Sequence, residues 1–473
     1  MTAQARVTTE PVETSGEETA PLQLSLPEAR GLLLAAQGLL DPLPISASAG
    51  AVPGPADLLA TIERLGVVQI DTISVVARSQ YLVLWSRLGP YDPSLLDELL
   101  APQRAIFEYW AHVASILPMR DFLYYRAEMV HEPHWYPDYR QWADEHPAVM
   151  SSTLEAIRER GPLASADFER PEGGRRVKPW DWYGPKESRV ALDVLWMTGE
   201  IMVSGRRAGQ KVYDLRERVL AEVPGGVPGD DALPGYNERL RYFVRRTLEA
   251  LGVVTREWLW DYFRLRRYLR WGEHATGNVA RTLATAMLEA LVASGDAVPA
   301  RIESIAEPAY VARERLGDLA RLRAGEVAPT RTTLLSPFDS VVWDRKRAQQ
   351  LFGHEVLFEA YVVPEKRRYG YYCLTILHHG ELVGRLDAKA AREEGTLLAR
   401  AVYLEPGVAV DDALLDGLAG ALWDLARFVG LGAVHVERTE PAGLARRLTG
   451  RLKTSPRRVR AREKRVPLKP TSA

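Results

Sequence analysis

What this 473-residue sequence lacks narrows its function first. It has a single cysteine, Cys373, so no intramolecular disulfide can form, and that composition suits a reducing cytoplasm. With one cysteine and scattered histidines, a structural zinc site has no support. His131 and His134 in "HEPH" are three apart with Pro133 between them, not the four-apart pair of a zinc-protease helix. No apolar run approaches the roughly 20 residues that span a bilayer. The N-terminus, MTAQARVTTEPVETSGEETAPL, has no basic start followed by an apolar block, so a polar, disordered leader is expected rather than a signal peptide. No P-loop, no G-x-G-x-x-G after a strand and no G-x-S-x-G elbow is present, which disfavours nucleotide hydrolysis and serine-hydrolase chemistry. A cofactor is not expected.

What is there is ordinary in bulk and uneven in distribution. Apolar residues make up 46% and charged residues 26%, with a formal net charge of −1. Residues 1–22 carry four Glu against one Arg, whereas residues 451–473 carry nine Lys/Arg against Glu463 alone. Such a basic tail is either a solvated end or a polyanion-binding arm.

Periodicity divides the chain into repeating units. "LSLPEARGLLLAAQGLL" predicts a helix capped by Ser25, and "PADLLATIERLG" a second one stopped by Gly66. A short strand holding Gln69 and Asp71 follows, then "ISVVARSQYLVLWSRLG" as a helix. "DPSLLDELL" starts another helix, and "AIFEYWAHVASILP" alternates like a strand. Helix, turn, helix and paired strands recur over residues 151–215 and 236–312, the grammar of a winged helix. Beyond about residue 331, alternating segments with Gly-bearing turns such as "HHGE" predict a small antiparallel sheet or barrel carrying one amphipathic helix. The expected class is therefore α+β: three tandem winged helix-turn-helix units plus a C-terminal antiparallel β-barrel-like domain. Expected boundaries are a leader at 1–22, units at 23–150, 151–232 and 233–328, the barrel-like domain at 329–450, and a tail at 451–473.

Winged helices usually bind DNA. The stretch "GGRRVKPWDWYGPKESR" interleaves Arg175, Arg176, Lys178, Lys186 and Arg189 with Trp180, Trp182 and Tyr183. Cations at that density neutralise phosphates while aromatic faces stack on bases; alternatively the aromatics plug a domain interface. "SGRRAGQK" places Arg206, Arg207 and Lys211 on a tight turn, in reach of phosphate.

Gln69 and Asp71, two apart on a strand, would face the same way. A carboxylate there could activate water or stabilise a sugar-like cation, and an amide could hold that water. The competing reading is a polar pair in which Asp71 or Thr72 caps the following helix. In that helix Arg78, Tyr81, Trp85 and Arg87 either support a site and its DNA or, for the two aromatics, simply pack the core.

"QIDTISVVARSQYLVLWSRLGPY", "YWAHVASILPM", "WDWYGPKESRVALDVLWMTGEIMVSGR" and "LSPFDSVVWDRKRAQQLFG" together resemble the AlkZ/YcaQ family, bacterial winged-helix DNA glycosylases. The resemblance runs from about residue 25 to about 440. It implies removal of alkylated bases and unhooking of interstrand crosslinks, with a C-shaped, DNA-embracing architecture. It implies that Gln69-Ile70-Asp71 is the catalytic motif, in the Gln-x-Asp form of the YcaQ-like branch rather than the Gln-x-Gln form of toxin self-resistance enzymes. Asp71 would activate water and Gln69 orient it, without a lysine nucleophile. His112 and Ser115 in "WAHVAS" would line the lesion, or else pair structurally in a hairpin. The expected partner is double-stranded DNA with alkylated purines or crosslinks, bound by a cytoplasmic, nucleoid-associated monomer. A non-enzymatic DNA-binding regulator is the alternative from another class.

Overall fold

Ser25 begins the first helix by a reciprocal cap. Its backbone N–H donates to Glu28 Oε2 at 2.7 Å while its Oγ accepts from the Glu28 N–H. In this computed structural model, which describes residues 20–40, 52–131, 137–168, 187–265 and 277–454, β1 (Leu22–Leu24) and α1 (Leu26–Ala36) are the first elements. Among the described residues no helix is long and apolar enough to cross a membrane.

The next segment comprises α2 (Pro55–Leu65), β2 (Val68–Gln69), α3 (Ser79–Leu88), α4 (Ser94–Leu100), β3 (Ile106–Trp110) and β4 (Ala114–Pro118). Its strands pair antiparallel in the order β2-β4-β3. Gly66 ends α2 at φ +71°, and a Cβ there would lie 2.9 Å from Arg246 Nη2 and 3.0 Å from the Phe263 ring, so conformation and space both demand glycine. Helices α5 (Phe122–His131) and α6 (Pro137–Glu145) lead into a second segment: α7 (Pro147–Arg160), β5 (Leu163–Ala164), α8 (Glu187–Met197), β6 (Ile201–Arg207), β7 (Gln210–Leu215) and α9 (Arg216–Ala221). A third holds α10 (Tyr236–Leu251), β8 (Val253–Thr255), α11 (Arg256–Tyr262), α12 (Gly277–Ala293), β9 (Ala297–Ile302) and β10 (Ala309–Ala312). All three sheets place the last strand in the middle: β2-β4-β3, β5-β7-β6 and β8-β10-β9. N-terminal β1 extends the third of these by pairing parallel to β9, so the start of the chain lies with the third sheet rather than the first.

After α13 (Leu316–Arg323) come β11 (Thr332–Leu335), α14 (Arg345–Phe352), β12 (Cys373–His378), β13 (Glu381–Ala391) and β14 (Thr396–Leu404). The chain then runs through α15 (Asp412–Phe428), β15 (Ala433–Val436), β16 (Thr439–Glu440) and α16 (Gly443–Thr454). The "HHGE" turn joins β12 to β13 as expected, with His379 and Gly380 both at positive φ, the conformation a two-residue hairpin loop requires. The barrel expectation is corrected. The sheet is open, in the order β11-β12-β13-β14-β15, and β15 and β16 both run parallel to β14. Among the described residues no ladder closes β15 onto β11.

One expected element begins later than its sequence periodicity suggested. Helix α3 starts at Ser79, not Ile73, because the preceding backbone bonds elsewhere: Val75 O accepts from Ala390 N at 3.1 Å, and Val76 O from Arg392 Nη2 at 2.8 Å. Strand β12 starts only at Cys373, because Glu359 takes the N–H groups of Arg368, Tyr369 and Gly370 away from any ladder.

Candidate active site

The short strand β2 delivers Gln69 and Asp71 to one end of the first sheet. Gln69 pairs with Ser115 of β4, and Ile70 N prolongs the ladder with a 2.8 Å bond to Ala114 O. The Gln69 side chain is 7% exposed, and no hydrogen bond reaches it among the described residues. Asp71 lies just past the strand. Its N–H donates to Gln80 Oε1 at 3.3 Å, and its Oδ1 accepts from Ile73 N at 2.6 Å, a side-chain turn closed two residues on. The other carboxylate oxygen accepts no protein hydrogen bond among the described residues. Helix α3 is capped at Arg78, seven positions beyond Asp71, so neither Asp71 nor Thr72 serves as its cap.

Half-burial raises the Asp71 carboxyl above the ordinary carboxylate range, and the Ile73 N–H and the Arg78 charge only partly oppose it. The Arg78 guanidinium makes no hydrogen bond or ion pair among the described residues. It packs under the β6–β7 turn, where a Cβ on Gly209 would meet its Nη2 at 3.2 Å. A carboxylate with one oxygen fixed and the other free, beside an unpaired guanidinium, can accept a proton and hold negative charge near a developing cation. The pH profile should follow. Any reaction that needs ionised Asp71 is expected to fall on the acid side at a pH above that of an ordinary aspartate. Arg78→Gln should move that limb further up, since it removes the charge that favours ionised Asp71; a downward move would contradict the electrostatics.

His112 and Ser115 sit behind the pair. Ser115 is fully buried, and its Oγ donates to Val113 O at 3.0 Å. His112 stacks on Trp343 with centroids 4.0 Å apart. Its Nδ1 lies 3.0 Å from Asp261 O and its Nε2 3.1 Å from Arg264 Nη2. Because the arginine can only donate, Nε2 must accept and Nδ1 must carry the proton, which fixes a neutral ring. Both residues therefore have protein partners for these polar atoms, His112 from segments far along the chain and Ser115 from within its own hairpin, and the two do not pair with each other.

Sequence reasoning missed a buried chain of hydroxyls beside the site. Ser79 Oγ lies 2.8 Å from Ser336 Oγ, which lies 2.9 Å from the Tyr372 hydroxyl, and Ser336 Oγ also accepts from Phe338 N. Burial pushes the Tyr372 phenol well up, opposed by its bond to Ser336 and reinforced by the Asp71 charge. The strand–turn "LSPF" and the doublet "YY" carry these groups; nothing in their spacing signals that they meet.

The family described as DNA glycosylase AlkZ-like matches residues 62–428, a span holding Gln69, Asp71 and the hydroxyl chain. The chain belongs to the AlkZ-like family of DNA glycosylases. A solved structure, Streptomyces sahachiroi DNA glycosylase AlkZ, is similar in fold: its TM-score is 0.52 at 17% identity, covering 88% of this chain and 100% of that one. Family membership makes this AlkZ-like protein an enzyme, a DNA glycosylase, and removes the non-enzymatic regulator as an alternative.

An AlkZ-like glycosylase needs cations for phosphate, and the structure sorts the expected ones. Arg87 is corrected: it is 3% exposed, and its guanidinium is consumed inside the protein. It forms a two-pronged ion pair with Asp339, with Nη2 to Oδ1 at 2.9 Å, and also donates to Gln37, Val83 and Ser86. Arg206 grips Glu108 of β3 at 2.8 and 2.7 Å with little exposure, so it joins the second sheet to the first rather than facing solvent. Lys211 lies 3.4 Å from the Trp196 ring centroid, and burial lowers its amine to about 8. Arg207 is exposed but paired with Asp167 at 2.8 and 2.7 Å. The guanidinium groups of Arg78 and exposed Arg189 are without hydrogen-bond or ion-pair partners among the described residues. Arg175, Arg176, Lys178, Trp180, Trp182 and Lys186, like His134 and most of the basic tail, lie outside the described residues.

Proposed function

We propose that this AlkZ-like enzyme is a monofunctional glycosylase for N7-alkylated purines, including those joined in interstrand crosslinks. Each three-stranded sheet with its helices is read as a winged helix, three in tandem. The carrying observation is Asp71, a half-buried carboxylate whose ionised form is disfavoured by burial and one of whose oxygens is free of protein hydrogen bonds. Alkylation at N7 makes a purine cationic, so the base leaves as a neutral molecule without a general acid. As the glycosidic bond lengthens, its electron pair goes to the base and positive charge grows on the sugar, where a carboxylate stabilises it. Water then adds to the anomeric carbon and gives its proton to Asp71. Gln69, with no protein hydrogen bond of its own among the described residues, orients that water.

Arg78 and Arg189 are the cations best placed for phosphate. Aspartate at the third motif position favours general alkylation repair over resistance to a single toxin. A monomer acting on the chromosome in the cytoplasm completes the reading.

Incubation with a duplex bearing one N7-methylguanine tests it. Free N7-methylguanine and an intact abasic strand are expected, and borohydride should trap no protein–DNA adduct. Strand scission without alkali, or a trapped adduct, would point instead to a lysine nucleophile.

A further inference from the structure

Between α14 and β12 the chain makes an irregular excursion that the chemistry above does not use. Its sequence, "FEAYVVPEKRRYGYY", is rich in aromatic and basic residues. Tyr361 is 89% exposed and Val363 53%, unusual values for large apolar side chains. The segment is nonetheless firmly built. Glu359, buried, accepts from Arg368 N at 2.7 Å, Tyr369 N at 2.9 Å and Gly370 N at 3.2 Å. Arg367 Nε donates to Val362 O at 2.8 Å while its guanidinium covers the Tyr371 ring. A segment pinned at both ends by these bonds holds its tip out to solvent, rather than having left it there by default.

What stands behind the tip is the active site. The Tyr361 ring meets Phe358 edge-on at 5.8 Å, and Phe358 contacts Phe338 at 4.9 Å and Tyr372 at 6.1 Å. Tyr372 and Ser336 belong to the hydroxyl chain that ends at Ser79, and the Tyr372 phenol feels the Asp71 charge. Two ring contacts thus join an exposed aromatic to the neighbourhood of the reacting carboxylate. Lys366 and Arg368 are exposed on the same segment, Arg368 in a surface pair with Glu355 at 3.5 Å, which polyanion could exchange at small cost.

We propose that residues 358–368 form a duplex-DNA contact in which Tyr361, flanked by Val363, wedges against the base stack beside the lesion while Lys366 and Arg368 meet phosphates. This rests on the glycosylase reading above. An apolar side chain entering a base step must unstack it, and prior support from Phe358 lessens the entropy lost when the ring is fixed. An exposed, supported aromatic is what that task needs; a ring serving only the fold would be covered.

The test uses the full-length enzyme and duplexes with N7-methylguanine, with 2-aminopurine as the neighbouring base. In the Asp71→Asn background, binding is expected to raise 2-aminopurine fluorescence, and Tyr361→Ala should abolish most of that rise while Tyr361→Phe retains it. With Asp71 present, Tyr361→Ala is expected to slow single-turnover base release on the order of tenfold. The loss should shrink to within about twofold when the lesion faces an abasic site, where little stacking and no pairing need be broken. Equal fluorescence and equal rates for wild type and Tyr361→Ala on the paired duplex would overturn the proposal. A Tyr361-dependent fluorescence rise with no base release by the wild type would instead sink the assigned chemistry and leave the wedge standing. Lys366→Gln with Arg368→Gln should make the log–log salt dependence of binding shallower by about two; an unchanged slope counts against the surface.

Discussion

Asp71→Asn is expected to lower base release from N7-methylguanine duplex by about 100- to 10,000-fold, the usual range for removing a positioned proton acceptor. The substitution keeps the size of the side chain and an oxygen that can still accept from Ile73 N, so the turn at residues 71–73 should persist. Affinity for DNA should stay within a few-fold. Stability should not fall, and the sign is fixed by the direction of the pKa. Burial raises the carboxyl in the folded protein, so aspartate favours folding only while protonated and loses that contribution as pH climbs through the raised value. Asparagine never ionises. The variant's melting temperature should therefore match or exceed that of the wild type at neutral pH, with the gap narrowing toward acid. An Asp71→Asn enzyme with full activity would remove the residue from the chemistry. One that is inactive but strongly destabilised would show a structural role instead.

Arg87→Ala is expected to cost about 3–5 kcal/mol, the largest effect on stability of any substitution named here. It would leave Asp339, which is wholly buried, as an uncompensated charge, together with the unpaired backbone carbonyl of Gln37, whose Oε1 would still accept from Ser340. Asp339→Ala should do comparable damage by stranding the guanidinium. Because the two share one interaction, the double variant should be far less destabilised than the sum of the singles. Urea denaturation at neutral pH, followed by far-ultraviolet circular dichroism, measures this. A loss below about 1 kcal/mol for either single change would mean that water reaches the pair.

Much of this fold could be read from local signals. Ser25 with Glu28, Gly66 and the His379–Gly380 turn each fix a boundary through their own backbone chemistry, and those boundaries are where the sequence put them. The failures share a cause. Residues 73–78 have the apolar spacing of a helix, but Ala390 and Arg392, more than 300 positions away, claim the carbonyls of Val75 and Val76. Periodicity cannot see a partner that distant. The candidate site divides likewise. Gln69 and Asp71 stand out as candidates because two polar residues in an apolar stretch are out of place, although only Gln69 lies in the strand. Arg87 looked like a surface cation for want of knowledge that Asp339 meets it, and Ser336 and Tyr372 carry no local mark at all. Paired charges such as Arg206 with Glu108 show why a count of basic residues overstates the surface open to phosphate.

The bonds from Ala390 and Arg392 to residues 75 and 76 also bear on how the enzyme is born. A ribosome delivers the chain from its N-terminus, and early segments fold as they emerge. The first helices and sheet can therefore assemble while residues 75–87 still lack the groups that hold Val75, Val76, Ser79 and Arg87 in place. Those groups lie between 252 and 316 residues further along the chain and arrive only after that much more has been synthesised. A nascent or prematurely terminated chain would carry Gln69 and Asp71 without the contacts that hold the segment following them.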